Sequence, residues 1–210
     1  MTQESVTSVQ NFLVKHSFLE TIKAIDGELK HLEYHQKRYE GVLNSLGIKK
    51  VHNLKERLNP PKKGLYRCRV VYSIEELEVE YIPYQKRQIH KLKLLESNTI
   101  EYSRKYADRR ELDALFLQKG EGDDILIIKD GFVSDTTIAN LAFFNGEHWL
   151  TPKTPLLQGT TRARLLEEGK IFEKDVRVED IYTYKKIALM NAMIDFDIIA
   201  EENIRKIIVR

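Results

Sequence analysis

The run from Phe18 to Ile25 has the character of a strand, Asp26-Gly27 is a hairpin turn, and Leu29 opens the return strand. Leu32, His35, Tyr39, Val42, Leu43 and Leu46 then recur at helical spacing, which predicts a helix from 32 to 46 stopped by Gly47. Leu65 to Tyr72 and Leu77 to Ile82 alternate apolar with charged positions, as half-exposed strands do, with a turn at Ser73 to Glu76. Further on, Lys105, Arg109, Leu112 and Phe116 fit one helix face, provided the helix begins that early, and Gly120 ends it. Ile125 to Ile128 reads as a buried strand, Asp130-Gly131 as a tight turn, and Ile138 to Phe144 as another strand closed by Asn145-Gly146 before Trp149-Leu150. A helix follows Gly159 and runs to Glu168, with Gly169 after it. The apolar run Ile187 to Ile194 is buried, although its period does not separate helix from strand.

Elements of both kinds alternate throughout, so the expected class is α/β. Two lobes are expected: a small, shortened N-terminal α/β lobe over residues 1–94 and a larger one over 95–210. With 210 residues and 42% of them apolar, the chain is long enough to bury a real core.

Charge and cysteine content narrow the function classes. A net charge of +2 left by 34 basic and 32 acidic side chains argues against general nucleic-acid binding. The basic stretches Pro61 to Gly64 and Gln85 to Lys93 are interleaved with apolar residues and read as solvated strand faces or loops. No apolar run approaches the roughly 18 residues of a spanning helix, and the polar start Met1-Thr-Gln-Glu-Ser5 lacks a secretory pattern. A cytoplasmic protein with no membrane partner is expected. The single Cys68 rules out an internal disulfide and a multi-cysteine metal site. His16, His31, His35, His52, His90 and His148 show no metal-ligand spacing, so no metal is expected and His35 reads as a helix-packing residue. Nucleotide-binding glycine loops and the Gly-x-Ser-x-Gly elbow are likewise missing from the sequence.

Four places carry candidate chemistry. Lys105 lies between Arg104 and Arg109, and neighbouring cations or burial would favour a neutral, nucleophilic amine; the alternative is an ordinary solvated lysine. Asp135 follows a strand and precedes Thr136, Thr137 and Asn140. Its carboxylate could face a cationic ring nitrogen, or it could form a turn with Ser134. Thr160 and Thr161 open a helix after Gly159, a place that suits a phosphate or a plain threonine cap. Arg38 sits beside the His35 and Val42 stripe, where it could bond a phosphate bidentately or remain a surface arginine.

Taken in order, these segments resemble the class-IV aminotransferase family of fold-type IV pyridoxal-phosphate enzymes. Phe18-Leu-Glu-Thr-Ile-Lys23 resembles the family's first strand, and His35-Gln-Lys-Arg38 its phosphate-arginine helix. Lys105 with Arg109 resembles the cofactor-lysine segment, and Asp130 to Asn140 the segment that carries the pyridine-nitrogen carboxylate. Thr151-Pro152 and Gly159-Thr-Thr-Arg162 resemble the Thr-Pro strand end and the phosphate turn. The sequence departs from the family in having Asp135 where glutamate is usual and in a compressed stretch between Gly47 and Tyr102.

The resemblance implies a C-terminal pseudo-barrel lobe, a homodimer, pyridoxal 5'-phosphate as cofactor and a small-molecule amino substrate. Lys105 would be the catalytic amine, with Arg38, Asp135, Thr136, Asn140, Thr160 and Thr161 as cofactor contacts. Within the family, Thr21 matches a threonine of the aminodeoxychorismate lyases, and Met190-Asn-Ala-Met193 resembles their Asn-Ala-Leu-Met segment. That favours release of pyruvate from 4-amino-4-deoxychorismate, with Thr21 as a second catalytic residue. The alternatives are an aminotransferase acting on a branched-chain or D-amino acid, and a family member that binds the cofactor without turnover.

Overall fold

The computed structural model describes residues 17–49, 51–201 and 203–209, so His16 and the polar start lie outside the described residues. The chain divides into two compact units, Met1–Gln85 with Arg104–Arg109, and Lys86–Ser103 with Arg110–Arg210. Among the described residues the architecture is mixed α/β with three sheets, two of them in the second and larger unit.

In the first unit, β1 (Phe18–Ile25) turns through Asp26 and Gly27 into the short β2 (Glu28–Leu29). Both turn residues have positive φ, 49° and 86°, the conformation a two-residue hairpin needs and the Asp-Gly pair tolerates. Helix α1 (Leu32–Ser45) buries His35, Tyr39, Val42 and Leu43 and is followed by Gly47 at φ 84°. A single turn, α2 (Leu54–Arg57), is capped by Asn53, whose side chain accepts from the Lys55 N–H at 3.0 Å. β3 (Leu65–Tyr72) and β4 (Leu77–Pro83) complete an antiparallel sheet in the order β2-β1-β3-β4. The alternating residues Phe18, Ile22 and Ala24 meet Cys68, Val70 and Tyr72 and the buried face of α1 in one core. Burying Ile22 or Val70 fully contributes about 1.5–3 kcal/mol each.

The lysine segment corrects one expectation. Lys105 is not helical: its carbonyl accepts from the Leu19 N–H at 2.7 Å, and the Ala107 N–H donates to the Ser17 carbonyl at 2.9 Å. Those backbone groups are committed to β1 and to Ser17 before it, and are unavailable to a helical ladder. Helix α3 starts only at Arg110 and ends at Phe116, so Lys105 and Arg109 do not share a helix face with Leu112.

The second unit holds the other two sheets. β5 (Leu92–Glu96) runs parallel to β6 (Asp124–Lys129), which turns through Asp130-Gly131 into β7 (Phe132–Val133). β8 (Asn140–Phe144), β9 (Trp149–Pro152), β10 (Phe172–Lys174), β11 (Lys186–Asn191) and β12 (Asp195–Ile198) form the five-stranded sheet β10-β9-β8-β11-β12. Helix α4 (Thr160–Glu167) lies between β9 and β10 in sequence. The short α5 (Ile204–Ile207) leads into β13 (Ile208–Val209), which gives the other sheet its order β13-β5-β6-β7. Leu126, Ile128 and Val133 of one sheet and Leu141, Phe143, Ile187 and Leu189 of the other share a single core.

Two further differences from the expected elements have local causes. The strand expected from Ile138 begins at Asn140, because the Thr136 hydroxyl accepts from the Ile138 and Ala139 N–H groups and holds a turn there. The ambiguous run from Ile187 resolves as β11, which is paired on both sides. Among the described residues no helix is long and apolar enough to cross a membrane.

Candidate functional site

In the first unit the strand alternation of β1 places one carboxylate, Glu20, on the apolar face with Phe18 and Ile22. The helical spacing of α1 brings His35 and Arg38 to it. His35 Nδ1 lies 2.6 Å from Glu20 Oε2, and Arg38 donates through Nε to Oε1 and through Nη2 to Oε2, each at 2.7 Å. Burial by itself pushes the Glu20 carboxyl up, but the Arg38 charge and the hydrogen bonds from His35 and Arg38 outweigh it and bring it down to about 2. Burial lowers the His35 pKa against the opposing pull of Glu20. A neutral ring facing an ionised carboxylate must carry its proton on Nδ1. His35 is therefore a hydrogen-bonded member of a charged cluster as well as a packing residue.

Lys105 lies within reach of the same charges. Burial, then the charge of Arg38, lower its amine to about 7; Glu20 opposes them, and Arg109 and Arg67 add to the lowering. An amine with that value is substantially neutral at physiological pH, as a nucleophile or proton acceptor requires. Thr21 lies on the face of β1 opposite Glu20, with Arg69 as its cross-strand neighbour.

In the second unit Asp135 is held by both its backbone and its side chain. Its carbonyl accepts from the Ile127 N–H at 2.9 Å, which extends the pairing of β6 beyond β7. Its Oδ1 accepts from Asn140 Nδ2 at 2.7 Å, and its Oδ2 accepts from the Leu157 N–H at 2.8 Å. The same Asn140 amide donates to the Leu157 carbonyl at 2.8 Å. Burial pushes the Asp135 carboxyl up to about 7, against the lowering effect of the Asn140 and Leu157 hydrogen bonds and of Arg162. A desolvated carboxylate of this kind favours a cation placed against it.

Asn140 also explains Gly159. A Cβ on Gly159 would lie 1.9 Å from Asn140 Oδ1, so any larger residue there would have to displace the Asn140 amide. Gly159 precedes α4 and offers no side-chain cap, and the buried Thr160 and Thr161 form the first turn. The amides of an uncapped helix start suit an anion. Thr136 is buried as well, but its hydroxyl serves the turn before Asn140.

Several segments singled out in the sequence are structural. Thr151 is fully buried and donates to the Leu141 carbonyl at 2.8 Å. Arg162 donates to the Pro152 carbonyl at 2.8 Å and to Glu173 at 2.6 Å, tying α4 to β9 and β10. Asn191 holds the β11–β12 turn by accepting from the N–H groups of Met193 and Ile194, and it donates to the Ile138 carbonyl. Asp124, fully buried, accepts from Thr137 Oγ1 and from Arg87, each at 2.8 Å, and so anchors the loop carrying Asp135.

The sequence reading missed Glu20 and Asp124. Glu20 had a signal: a carboxylate on the apolar parity of a strand, with His35 and Arg38 three residues apart on the buried side of the next helix.

The family model for amino-transferase class IV matches residues 17–201. The chain belongs to that family. An uncharacterised protein of Haemophilus influenzae is 38% identical over 184 residues, a match covering 85% of this chain and 98% of that protein. The crystal structure of a protein from Haemophilus somnus 129pt, provisionally named 4-amino-4-deoxychorismate lyase, is similar at 37% identity and TM-score 0.79, covering 85% of this chain and 97% of its own. The chain thus spans nearly the whole of both relatives. A hypothetical aminotransferase of Mycobacterium tuberculosis in its PLP-bound form shares the fold at 17% identity and TM-score 0.76, over 95% of this chain and 84% of that one.

Proposed function

We propose that this chain is a pyridoxal-phosphate enzyme, and specifically a lyase that releases pyruvate from 4-amino-4-deoxychorismate to leave 4-aminobenzoate. The observation that carries the reading is the Lys105 amine, lowered to about 7 by burial and the Arg38 charge, in a family whose fold has a PLP-bound representative. The lyase assignment has the support of the Haemophilus somnus relative, of Thr21 and of the Met190 to Met193 segment, whose Asn191 also holds a turn.

The residues present fit the cofactor. In the second unit Gly159 leaves the start of α4 uncapped for a phosphate, with Thr160 and Thr161 adding hydroxyl donors; in the first unit Arg38 carries a cation held by Glu20. The buried Asp135, raised to about 7 and steadied by Asn140, suits a cationic ring nitrogen; Thr136 shapes the loop between them. When bound, pyridoxal phosphate supplies an aldehyde that condenses with amines and a ring that withdraws electrons from the bond to be broken. Lys105 Nζ, partly neutral near pH 7, would accept a proton from substrate carbon and return it. Asp135 would hold a proton on a ring nitrogen placed against it, and Thr21 would offer a hydroxyl from β1 to the substrate. A homodimer in the cytoplasm acting on a small amino substrate completes the proposal.

The test is pyruvate release from 4-amino-4-deoxychorismate by purified protein, with and without a keto acid. Release without a keto acid is expected. Turnover that requires one would replace the lyase with an aminotransferase of branched-chain or D-amino acids. Failure to bind pyridoxal phosphate would overturn the enzyme reading altogether.

A further inference from the structure

Glu20 has no role in the proposed chemistry, yet it is fully buried and accepts hydrogen bonds on both oxygens, from His35 at 2.6 Å and twice from Arg38 at 2.7 Å. One arginine would suffice to balance a buried carboxylate, but a bidentate pair made through Nε and Nη2 also fixes the plane of the guanidinium. His35 then fixes the carboxylate from the other side with a neutral donor, so the cluster cannot rotate without losing a bond.

The Lys105 carbonyl accepts from the N–H of Leu19, the residue before Glu20, at 2.7 Å, so the lysine is tied to β1 beside that carboxylate. The charges that act on Lys105 come from three elements and its own segment. They are Arg38 and Glu20, facing each other from α1 and β1, Arg67 on β3, and Arg109, with the buried His35 on α1 coupled to the same lysine. Glu20 is the one carboxylate in that group, and the Tyr72 phenol on β3, which carries no charge at neutral pH, also feels it. We propose that Glu20 is a positioning residue for the lysine site: its fixed negative charge orients the Arg38 guanidinium and offsets the arginines gathered around Lys105. The inference rests on the reading of Lys105 as the cofactor lysine. Without Glu20 the Lys105 amine would stay neutral to lower pH, and Arg38 would lose the partner that sets its direction.

Competitive labelling of Lys105 with trace acetic anhydride tests this on the full chain without added cofactor, read by mass spectrometry from pH 5 to 10 against exposed lysines. Glu20→Gln is expected to lower the midpoint of Lys105 labelling by about one pH unit, which raises its labelling at pH 6 about fivefold. Glu20→Asp, which keeps the charge, is expected to restore most of the shift. A folded Glu20→Gln protein with an unmoved or raised midpoint overturns the proposal. If circular dichroism shows that Glu20→Gln does not fold, Arg38→Gln asks the same question with the opposite sign. It leaves Glu20 unbalanced and should raise the midpoint, and no rise overturns the proposal. Failure of the cofactor reading would show separately, as wild-type protein that forms no borohydride-sensitive absorbance band with pyridoxal phosphate.

Discussion

Asn140 and Gly159 occupy each other's space: the amide oxygen of the first lies 1.9 Å from where a Cβ on the second would stand. The other end of that amide bridges Asp135 and the Leu157 carbonyl, so the glycine, the amide and the carboxylate are fixed together. Gly159→Ala should displace Asn140 and break both hydrogen bonds, at a cost of about 2–4 kcal/mol. A denaturant midpoint matching the wild type, with unchanged pyridoxal-phosphate affinity, would remove this coupling from the account.

Lys105 gives a stability prediction as well as a catalytic one. Its folded value of about 7 lies below the ordinary 10.5, so its favourable contribution is complete above pH 10.5 and is lost as pH falls through 7. Lys105→Met removes that penalty. The cofactor-free variant should be more stable than wild type at pH 6, by several kcal/mol, and the difference should shrink toward pH 10. Thermal melts at the two pH values check this. The same variant should form no absorbance band with pyridoxal phosphate.

Asp135 runs in the other direction. Its folded carboxyl is raised from 3.8 to about 7, so stability is fully present below pH 3.8 and declines as pH rises through 7. Asp135→Asn has no such decline. Relative to wild type, the cofactor-free Asn variant should gain stability steadily between pH 4 and pH 8, and parallel curves over that range would contradict the assignment. Added pyridoxal phosphate should flatten the wild-type slope, since a ring cation would balance the ionised carboxylate.

Acid should act on the cluster around Glu20. With a folded value near 2 against 4.5 for the free side chain, its stabilising charge is intact above pH 4.5 and disappears as pH falls toward 2. His35, lowered by burial, also loses stability as it is forced to take a proton. The cluster should therefore melt between pH 4.5 and 2, and hydrogen exchange at the amides of β1 and α1 is the measurement. Protection unchanged across that range would show that the carboxylate carries no such load.

The parts of the fold legible in the sequence were those with a local signature. The Asp26-Gly27 hairpin, the periodic α1 and the alternating β3 and β4 stand where their patterns place them. Lys105 to Phe116 has the spacing of one helix, but spacing cannot reveal that Leu19 and Ser17 take the segment's backbone groups. β5 was missed because Lys91 and Lys93 flank Leu92 and obscure a strand whose pairing with β6 is long-range. Among the candidate residues, Lys105 in the first unit and Asp135 and Gly159 in the second stand out through their motifs. Glu20 acquires its meaning from residues fifteen and eighteen positions away, a distance that one strand's pattern does not span.

The path of the chain has a genetic consequence. It leaves the first unit at Gln85, supplies β5 to the second, returns for Arg104–Arg109 and leaves again. Neither unit is encoded by an uninterrupted stretch of sequence. A truncation at residue 85 or a start at residue 110 would strip the first of its lysine strap or the second of β5, the strand between β13 and β6. Each unit therefore depends on chain that lies on both sides of residue 85, and a cut there should leave neither one complete.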